Sequence, residues 1–144
     1  MKLLLALLQR DLIRLCSQIG VYPDEIPRLV TNKFQMLNIL TSQDKYYPQS
    51  GFGQSELRFL KDLIAGRCFR SLRLIYIQID ENKKNFDYDD LYNTLAHELV
   101  HYRFPELNYG SEKPNHNQKF KKKLNLVLKG ERFKLKRLYP YSIS

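Results

Sequence analysis

The sequence contains only two cysteines in 144 residues, Cys16 and Cys68, and no CxxC pair. Without closely spaced cysteine pairs, the chain can build neither a four-cysteine zinc site nor a disulfide framework. Free thiols are typical of reducing compartments, so the cysteine content predicts an intracellular, cytoplasmic protein.

Long hydrophobic runs are also missing. The longest candidate, residues 3–8, is six residues long, whereas a membrane span needs about 20. It is also too short for a secretory signal, so we expect no membrane partner and an N-terminus that belongs to the mature fold. Because neither repeats nor low-complexity segments occur, we predict a single domain over 1–144, with an N-terminal helical part (1–54), a metal-binding core (67–130) and a basic tail (131–144).

Positive charge is concentrated near the C-terminus. The chain has 24 basic and 15 acidic residues, a net charge of +9, and residues 97–144 carry seven of these nine charges. Such a cluster attracts polyanions, of which nucleic acid is the commonest, although it is equally typical of a solvated helix face. Tyr139 and Tyr141 are candidates for stacking on exposed bases. The candidate nucleic-acid-binding residues are Lys119, Lys121, Lys122, Lys123, Lys129, Arg132, Lys134, Lys136 and Arg137.

Hydrophobic periodicity predicts an α+β fold. Apolar residues at helical spacing indicate helices over 2–19, 25–40 and from Ser55 to Gly66, with a loop over 41–54. Residues 72–79 form the best strand candidate, with Ile75, Ile77 and Ile79 on one face, and residues 80–86 are a turn. Helices are then predicted over 87–103 and from an Asn115 cap to Gly130, followed by a strand-like alternation over 132–137.

The predicted helix over 87–103 contains His97-Glu98-Leu99-Val100-His101, an HExxH pattern. Residues four apart lie on nearly the same helix face, so both imidazoles can reach one metal ion. Glu98 projects beside them as a candidate general base, and two histidine nitrogens suit Zn²⁺.

A catalytic zinc usually has three protein ligands, and the chain contains only one further histidine, His116. The pattern of Phe120, Leu124, Val127 and Leu128 places His116 on the buried face of the last helix. A lone histidine there is usually a core residue, but with an HExxH motif just upstream we predict that it is a ligand. Glu112 and Glu131 are the alternatives.

The HExxH motif, together with His116 and Phe120 in an H-x-x-x-F pattern, resembles the SprT-like (Spartan-type) zinc metallopeptidases. The preceding hydrophobic strand and the Thr94-Leu95 pair ahead of His97 agree with that family. The resemblance covers residues 67–128, under half of the chain. Asn117 stands where the family has glycine, and the cysteines cannot build the zinc ribbon of many relatives.

The resemblance implies a small zincin-like domain with N-terminal helices, a short β-sheet, an HExxH active-site helix and a basic C-terminal helix. It also implies one Zn²⁺ per chain, held by His97, His101 and His116, with Glu98 as general base and DNA-associated proteins as substrates. Pairing of an extended substrate with the edge of the 72–79 strand would restrict cleavage to unfolded segments.

Two alternative functions remain open at this point. The chain could be a minimal zincin peptidase unrelated to DNA, or a non-catalytic nucleic-acid-binding module with structural zinc. The group that stabilises the oxyanion is also open: Tyr92, Tyr102 and Tyr109 are near in sequence, but packing is the commoner role for each.

Overall fold

The computed structural model describes residues 2–46, 64–79, 87–108 and 118–139. These residues form an α+β arrangement, which confirms the general fold class, and their short 3₁₀ turns lie at Pro23–Glu25, Arg70–Leu72 and Pro105–Asn108. In chain order the described elements are α1 (Lys2–Ile19), β1 (Arg28–Val30), α2 (Lys33–Tyr46), β2 (Gly66–Phe69), β3 (Leu74–Ile77), α3 (Tyr88–Arg103) and α4 (Gln118–Leu128).

The sheet has the strand order β1-β3-β2, with β1 parallel and β2 antiparallel to β3. All four residues of β3 are buried because helices cover both faces of this central strand. Ile75 and Ile77 pack with residues of α1, α3 and α4, as the predicted one-sided pattern requires. Leu74 and Tyr76 pack with Met36 of α2 on the other face.

The predicted role of the 72–79 strand as a substrate-binding edge is wrong. The strand is present but shorter, and β1 and β2 occupy its two sides. A strand paired on both sides has no free backbone groups to offer to a substrate.

Helix α1 has the predicted bounds, and its buried stripe includes Leu8, Leu12, Leu15 and Ile19. Gly20 follows with a φ of 84°. A Cβ atom at Gly20 would lie 2.1 Å from the backbone oxygen of Lys134, so only glycine permits this close crossing.

Three of the predictions for the N-terminal half are wrong. Residues 25–40 do not form one helix, because β1 occupies Arg28–Val30 and α2 begins only at Lys33. The predicted loop over 41–54 is helical as far as Tyr46, and Gly66 begins a strand instead of ending a helix. The remaining predictions for 47–63 and the turn over 80–86 lie outside the described residues.

Helix α3 forms as predicted. The Asp87 side chain accepts a hydrogen bond from the backbone N–H of Asp89, which satisfies one of the free donors at the helix start. Leu95 and Leu99 are buried against α1 and the sheet. The Tyr88 hydroxyl donates to Asp11 over 2.5 Å, which fixes the start of α3 to α1.

Helix α4 and the residues after it are held by α1. Gly130 has a φ of 92° and ends the helix as predicted. The Gln18 side-chain amide donates to the backbone oxygens of Val127 and Glu131, each over 2.8 Å, and so caps the helix C-terminus. The predicted burial of Leu128 is wrong, since its side chain is 40 % exposed.

The segment over residues 131–139, hereafter the C-terminal segment, crosses the end of α1 without forming the predicted strand. Its backbone N–H groups at Phe133 and Lys136 donate to the backbone oxygens of Gln18 and Gly20. The buried Glu25 carboxylate accepts the backbone N–H groups of Leu138 and Tyr139 over 2.9 to 3.1 Å. The C-terminal segment is therefore part of the packed structure.

Cys16 and Cys68 are both free thiols. Within the described ranges, no helix combines the length and the apolar character needed to cross a bilayer.

Candidate metal centre

His97 and His101 lie one turn apart on α3, and their rings converge. The two Nε2 atoms are 3.2 Å apart, and both rings are partly buried. Two nitrogen ligands of a tetrahedral zinc, each bonded at 2.0 to 2.1 Å, lie roughly 3.3 Å from each other. The observed separation therefore fits a shared Zn²⁺, although two neutral rings of opposite tautomer could also form a hydrogen bond at this distance.

Glu98 lies next to the two imidazoles. One potential ligand atom from each of His97, Glu98 and His101 lies within 4.8 Å of the other two. In the described part of the chain, no other three histidine, cysteine or acidic side chains come together in this way. Imidazole nitrogens with a nearby carboxylate are donors that Zn²⁺ accepts readily.

Burial controls the chemistry of Glu98. Its side chain is only 6 % exposed, and loss of hydration raises the pKa of the carboxyl group to about 7. The positive charge of Arg67 and a hydrogen bond from the backbone N–H of Cys68 act in the opposite direction. The group is therefore poised to exchange a proton near neutral pH.

The contact with Cys68 shows where Glu98 lies relative to the sheet. The backbone N–H of Gln78 donates to the oxygen of Ala65. Because inward and outward groups alternate along an antiparallel strand, the N–H of Cys68 points away from β3, towards the outer edge of β2. Glu98 thus lies against the outer edge of β2.

Sequence reasoning missed Arg67 and the backbone of Cys68 as neighbours of Glu98. Arg67 is partly buried and lies over the Phe69 ring, with 5.2 Å between its guanidinium carbon and the ring centroid. The only available signal was the short run from Gly66 to Phe69, which the helical periodicity before it obscured.

Phe120, in the first turn of α4, contacts both histidine rings. Its ring is stacked on His101, with centroids 4.3 Å apart and an interplanar angle of 26°. It meets His97 edge-on, with centroids 4.9 Å apart and an angle of 64°. The start of α4 therefore lies beside the HExxH motif.

Of the three candidates for a third metal ligand, the structure describes only Glu131. His116, Glu112 and the Asn117 position lie outside the described residues. Glu131 is exposed beyond the far end of α4, about 16 Å along the helix from Phe120 at 1.5 Å per residue. Because Phe120 contacts the histidines, Glu131 is too distant to be a ligand, and this alternative is wrong.

The tyrosine candidates for oxyanion stabilisation have other partners. The Tyr102 hydroxyl is buried and donates to the backbone oxygen of Glu25 over 2.6 Å. The Tyr92 hydroxyl accepts a hydrogen bond from Arg14 over 2.7 Å, on the side that faces α1. Packing is therefore the role of both, and Tyr109 lies outside the described residues.

The structure divides the predicted nucleic-acid-binding residues into two groups. Lys123 lies over the rings of Phe104 and Phe133, and Arg137 forms an ion pair with Asp24 over 2.7 Å. These two cations have structural partners. The exposed members are Lys119, Lys121 and Lys122 on α4, Lys129 directly after its end, and Arg132, Lys134 and Lys136 in the C-terminal segment.

Tyr139 is not available for base stacking, and Tyr141 lies outside the described residues. Two guanidinium groups lie over the partly buried Tyr139 ring, with their carbons 5.1 Å (Arg70) and 4.1 Å (Arg73) from its centroid. Its hydroxyl donates to the backbone oxygen of Arg70 over 2.6 Å. The predicted role of Tyr139 in nucleic-acid binding is therefore wrong.

Comparison of the chain with protein-family models, with curated proteins and with solved structures finds no match.

Proposed function

We propose that this protein is a zinc-dependent metalloendopeptidase of the SprT-like type, with a zincin-like fold. The observation that carries the proposal is the convergence of the two Nε2 atoms of His97 and His101 to 3.2 Å, beside the buried carboxylate of Glu98. A helix that presents two imidazoles and one carboxylate in this way is suited to metal-assisted hydrolysis.

Each residue of the centre has a defined task. When bound, Zn²⁺ supplies a Lewis acid that makes water acidic near neutral pH. Glu98 accepts a proton from the attacking water and donates it to the leaving amine. The backbone N–H of Cys68 holds the Glu98 carboxylate in place, and β2 excludes water from one side of it.

His116 is the proposed third ligand. It precedes Phe120 by four residues, a separation that the chain spans in at most about 14 Å. Because Phe120 contacts both described histidines, this assignment needs no long reach from α4. The alternative that remains is Glu112.

An extended substrate would lie along β2, since this strand has Glu98 at its outer edge. Backbone pairing with a strand edge requires an unfolded segment, so we propose unfolded or flexible protein chains as the substrate class.

The zinc-loaded chain is expected to cleave a reduced and carboxymethylated protein and to spare the same protein in its native, disulfide-bonded form. The measurement is gel electrophoresis of both forms, with mass spectrometry of the products and metal analysis of the enzyme. A zinc chelator should stop the cleavage, and added Zn²⁺ should restore it. The proposal would be contradicted if the chelator left the cleavage unchanged. It would also be contradicted if the zinc-loaded protein cleaved neither form of the substrate.

The exposed lysines on α4 and directly after it support contact with a polyanion such as DNA. We name Lys119, Lys121, Lys122 and Lys129 the α4 basic surface. Lys129 directly follows the last residue of α4, and its backbone N–H still donates to the oxygen of Asn125, four residues earlier. Lys122 and Lys129 are seven residues apart, nearly two full turns, and so lie on the same side of the helix. A phosphate backbone could contact both.

The double variant Lys122→Gln/Lys129→Gln is expected to bind single-stranded DNA more weakly and with less dependence on salt. Each lost phosphate contact lowers the slope of log K against log salt by about 0.7, so the slope should fall by about 1.4. Fluorescence anisotropy at several salt concentrations measures it. The control Lys2→Gln/Arg28→Gln removes the same charge from exposed positions elsewhere. If both variants weaken binding equally, the loss reflects net charge alone, and the α4 basic surface has no specific role in DNA binding.

A further inference from the structure

Phe120 has an unusual environment for a core residue. Its side chain is 1 % exposed and belongs to the core cluster that includes Leu99 and Val127. The same ring contacts both imidazoles of the HExxH motif, and the two imidazoles also contact each other with centroids 4.8 Å apart. Among the described residues, three rings thus meet in one cluster, and Phe120 is contributed by a second helix.

The imidazoles need such a contact to converge. A partly buried histidine on a helix has several side-chain rotamers available, and a metal must select the one in which both nitrogens point to the same place. Fixing rotamers costs conformational entropy at the moment of binding. A rigid ring that already contacts both imidazoles lowers this cost, because the rotamers are restricted before the metal arrives.

The contact geometry distinguishes the two histidines. The stacked arrangement on His101 fixes the plane of that ring, while the edge-on contact limits the rotation of His97. An aliphatic side chain of similar size would fill the core equally well but could not reproduce either ring contact. A substitution at Phe120 can therefore test the ring contacts with the histidines separately from the filling of the core.

We infer that Phe120 is a positioning residue of the metal centre, whose ring holds His97 and His101 in the converged arrangement before Zn²⁺ binds. The inference rests on the proposed metal site and extends it to a residue that is not a ligand.

The test compares three variants with the wild type. Phe120→Leu keeps the apolar volume and removes the ring, whereas Phe120→Tyr keeps the ring. Val127→Ala is the control for stability, because Val127 is equally buried on the same helix but lies two turns away from Phe120. Circular dichroism identifies the conditions in which all four proteins are folded.

Two measurements are made on the folded proteins. Zn²⁺ affinity is determined by competition with a chromophoric chelator, and the visible spectrum of bound Co²⁺ reports on ligand geometry. Imidazole ring-proton shifts are then recorded by NMR without metal; the chain has only three histidines, so the spectrum is simple. A ring stacked under Phe120 has protons shifted upfield by the aromatic ring current.

Phe120→Leu is expected to lower Zn²⁺ affinity roughly tenfold, within the range seen when an outer partner of a metal ligand is removed. It should also change the Co²⁺ spectrum and abolish the upfield shift of His101, while Phe120→Tyr and Val127→Ala remain close to wild type. Wild-type affinity and spectrum in Phe120→Leu would overturn the inference. If the wild-type protein binds no Zn²⁺, both the proposed function and the inference about Phe120 are wrong. If the wild-type protein binds Zn²⁺ but metal-free Phe120→Leu retains the upfield shift of His101, only the inference about Phe120 is wrong.

Discussion

Replacement of Glu98 by glutamine is expected to lower kcat/KM for peptide hydrolysis about a thousandfold while one zinc per chain is retained. Glutamine has nearly the same shape, and its side-chain oxygen can still accept the hydrogen bond from the backbone N–H of Cys68. It cannot accept a proton from water, and loss of general acid–base catalysis typically costs between a hundredfold and ten-thousandfold. Steady-state cleavage of an unfolded fluorogenic substrate gives the rate, and metal analysis gives the zinc content.

The matched control for this variant is Glu131→Gln. It makes the same chemical change at an exposed carboxylate far along α4, so both the rate and the zinc content should stay unchanged. If Glu98→Gln cleaves as fast as the wild type, Glu98 is not the general base and the protein is not a peptidase of this type. If neither protein cleaves, a non-catalytic nucleic-acid-binding module becomes the better interpretation. If Glu98→Gln loses its zinc, the carboxylate is a ligand and not a base.

Replacement of His116 by alanine is expected to weaken zinc binding by more than a hundredfold. This change removes one of three proposed protein ligands, which should exceed the cost of losing an outer partner of a ligand. Equilibrium dialysis against a buffered Zn²⁺ concentration measures the affinity. His97→Ala serves as the positive comparison, because its Nε2 atom converges with that of His101.

Glu112→Ala separates the two remaining candidates for the third ligand. We expect it to bind zinc as tightly as the wild type. The opposite result, with tight binding in His116→Ala and weak binding in Glu112→Ala, would transfer the third position to the glutamate. Glu131→Ala completes the set as a neutral control.

The long helices could be predicted from the sequence because their signals are local. The apolar stripe of α1 and the Asp87 cap of α3 each depend on residues within one helix. The strand β1 could not be predicted, because three residues carry too little periodicity and Arg28–Val30 is a strand only through its pairing with β3. The C-terminal segment has an alternating sequence pattern but forms no strand, because its backbone N–H groups donate to Gln18, Gly20 and the Glu25 carboxylate.

The candidate site divides in the same way. The spacing of His97 and His101 follows from helix geometry and is visible in five consecutive letters. The contact of Glu98 with the backbone of Cys68 joins positions 30 residues apart and depends on which edge of β2 faces α3. The packing of Phe120 against the histidines likewise depends on how α4 crosses α3, which no local pattern encodes.

Helix α4 has one further consequence for the substrate of the proposed peptidase. Phe120 faces the histidines, and Lys122, two positions later, points roughly 200° around the helix axis at 3.6 residues per turn. A nucleic acid strand bound at Lys122 would therefore run within roughly one helix diameter, 10–12 Å, of the layer that contains the imidazoles. Helix α4 would then lie between that strand and the polypeptide to be cut, so the proposed function would favour proteins bound directly to nucleic acid over those held at a distance by a long tether.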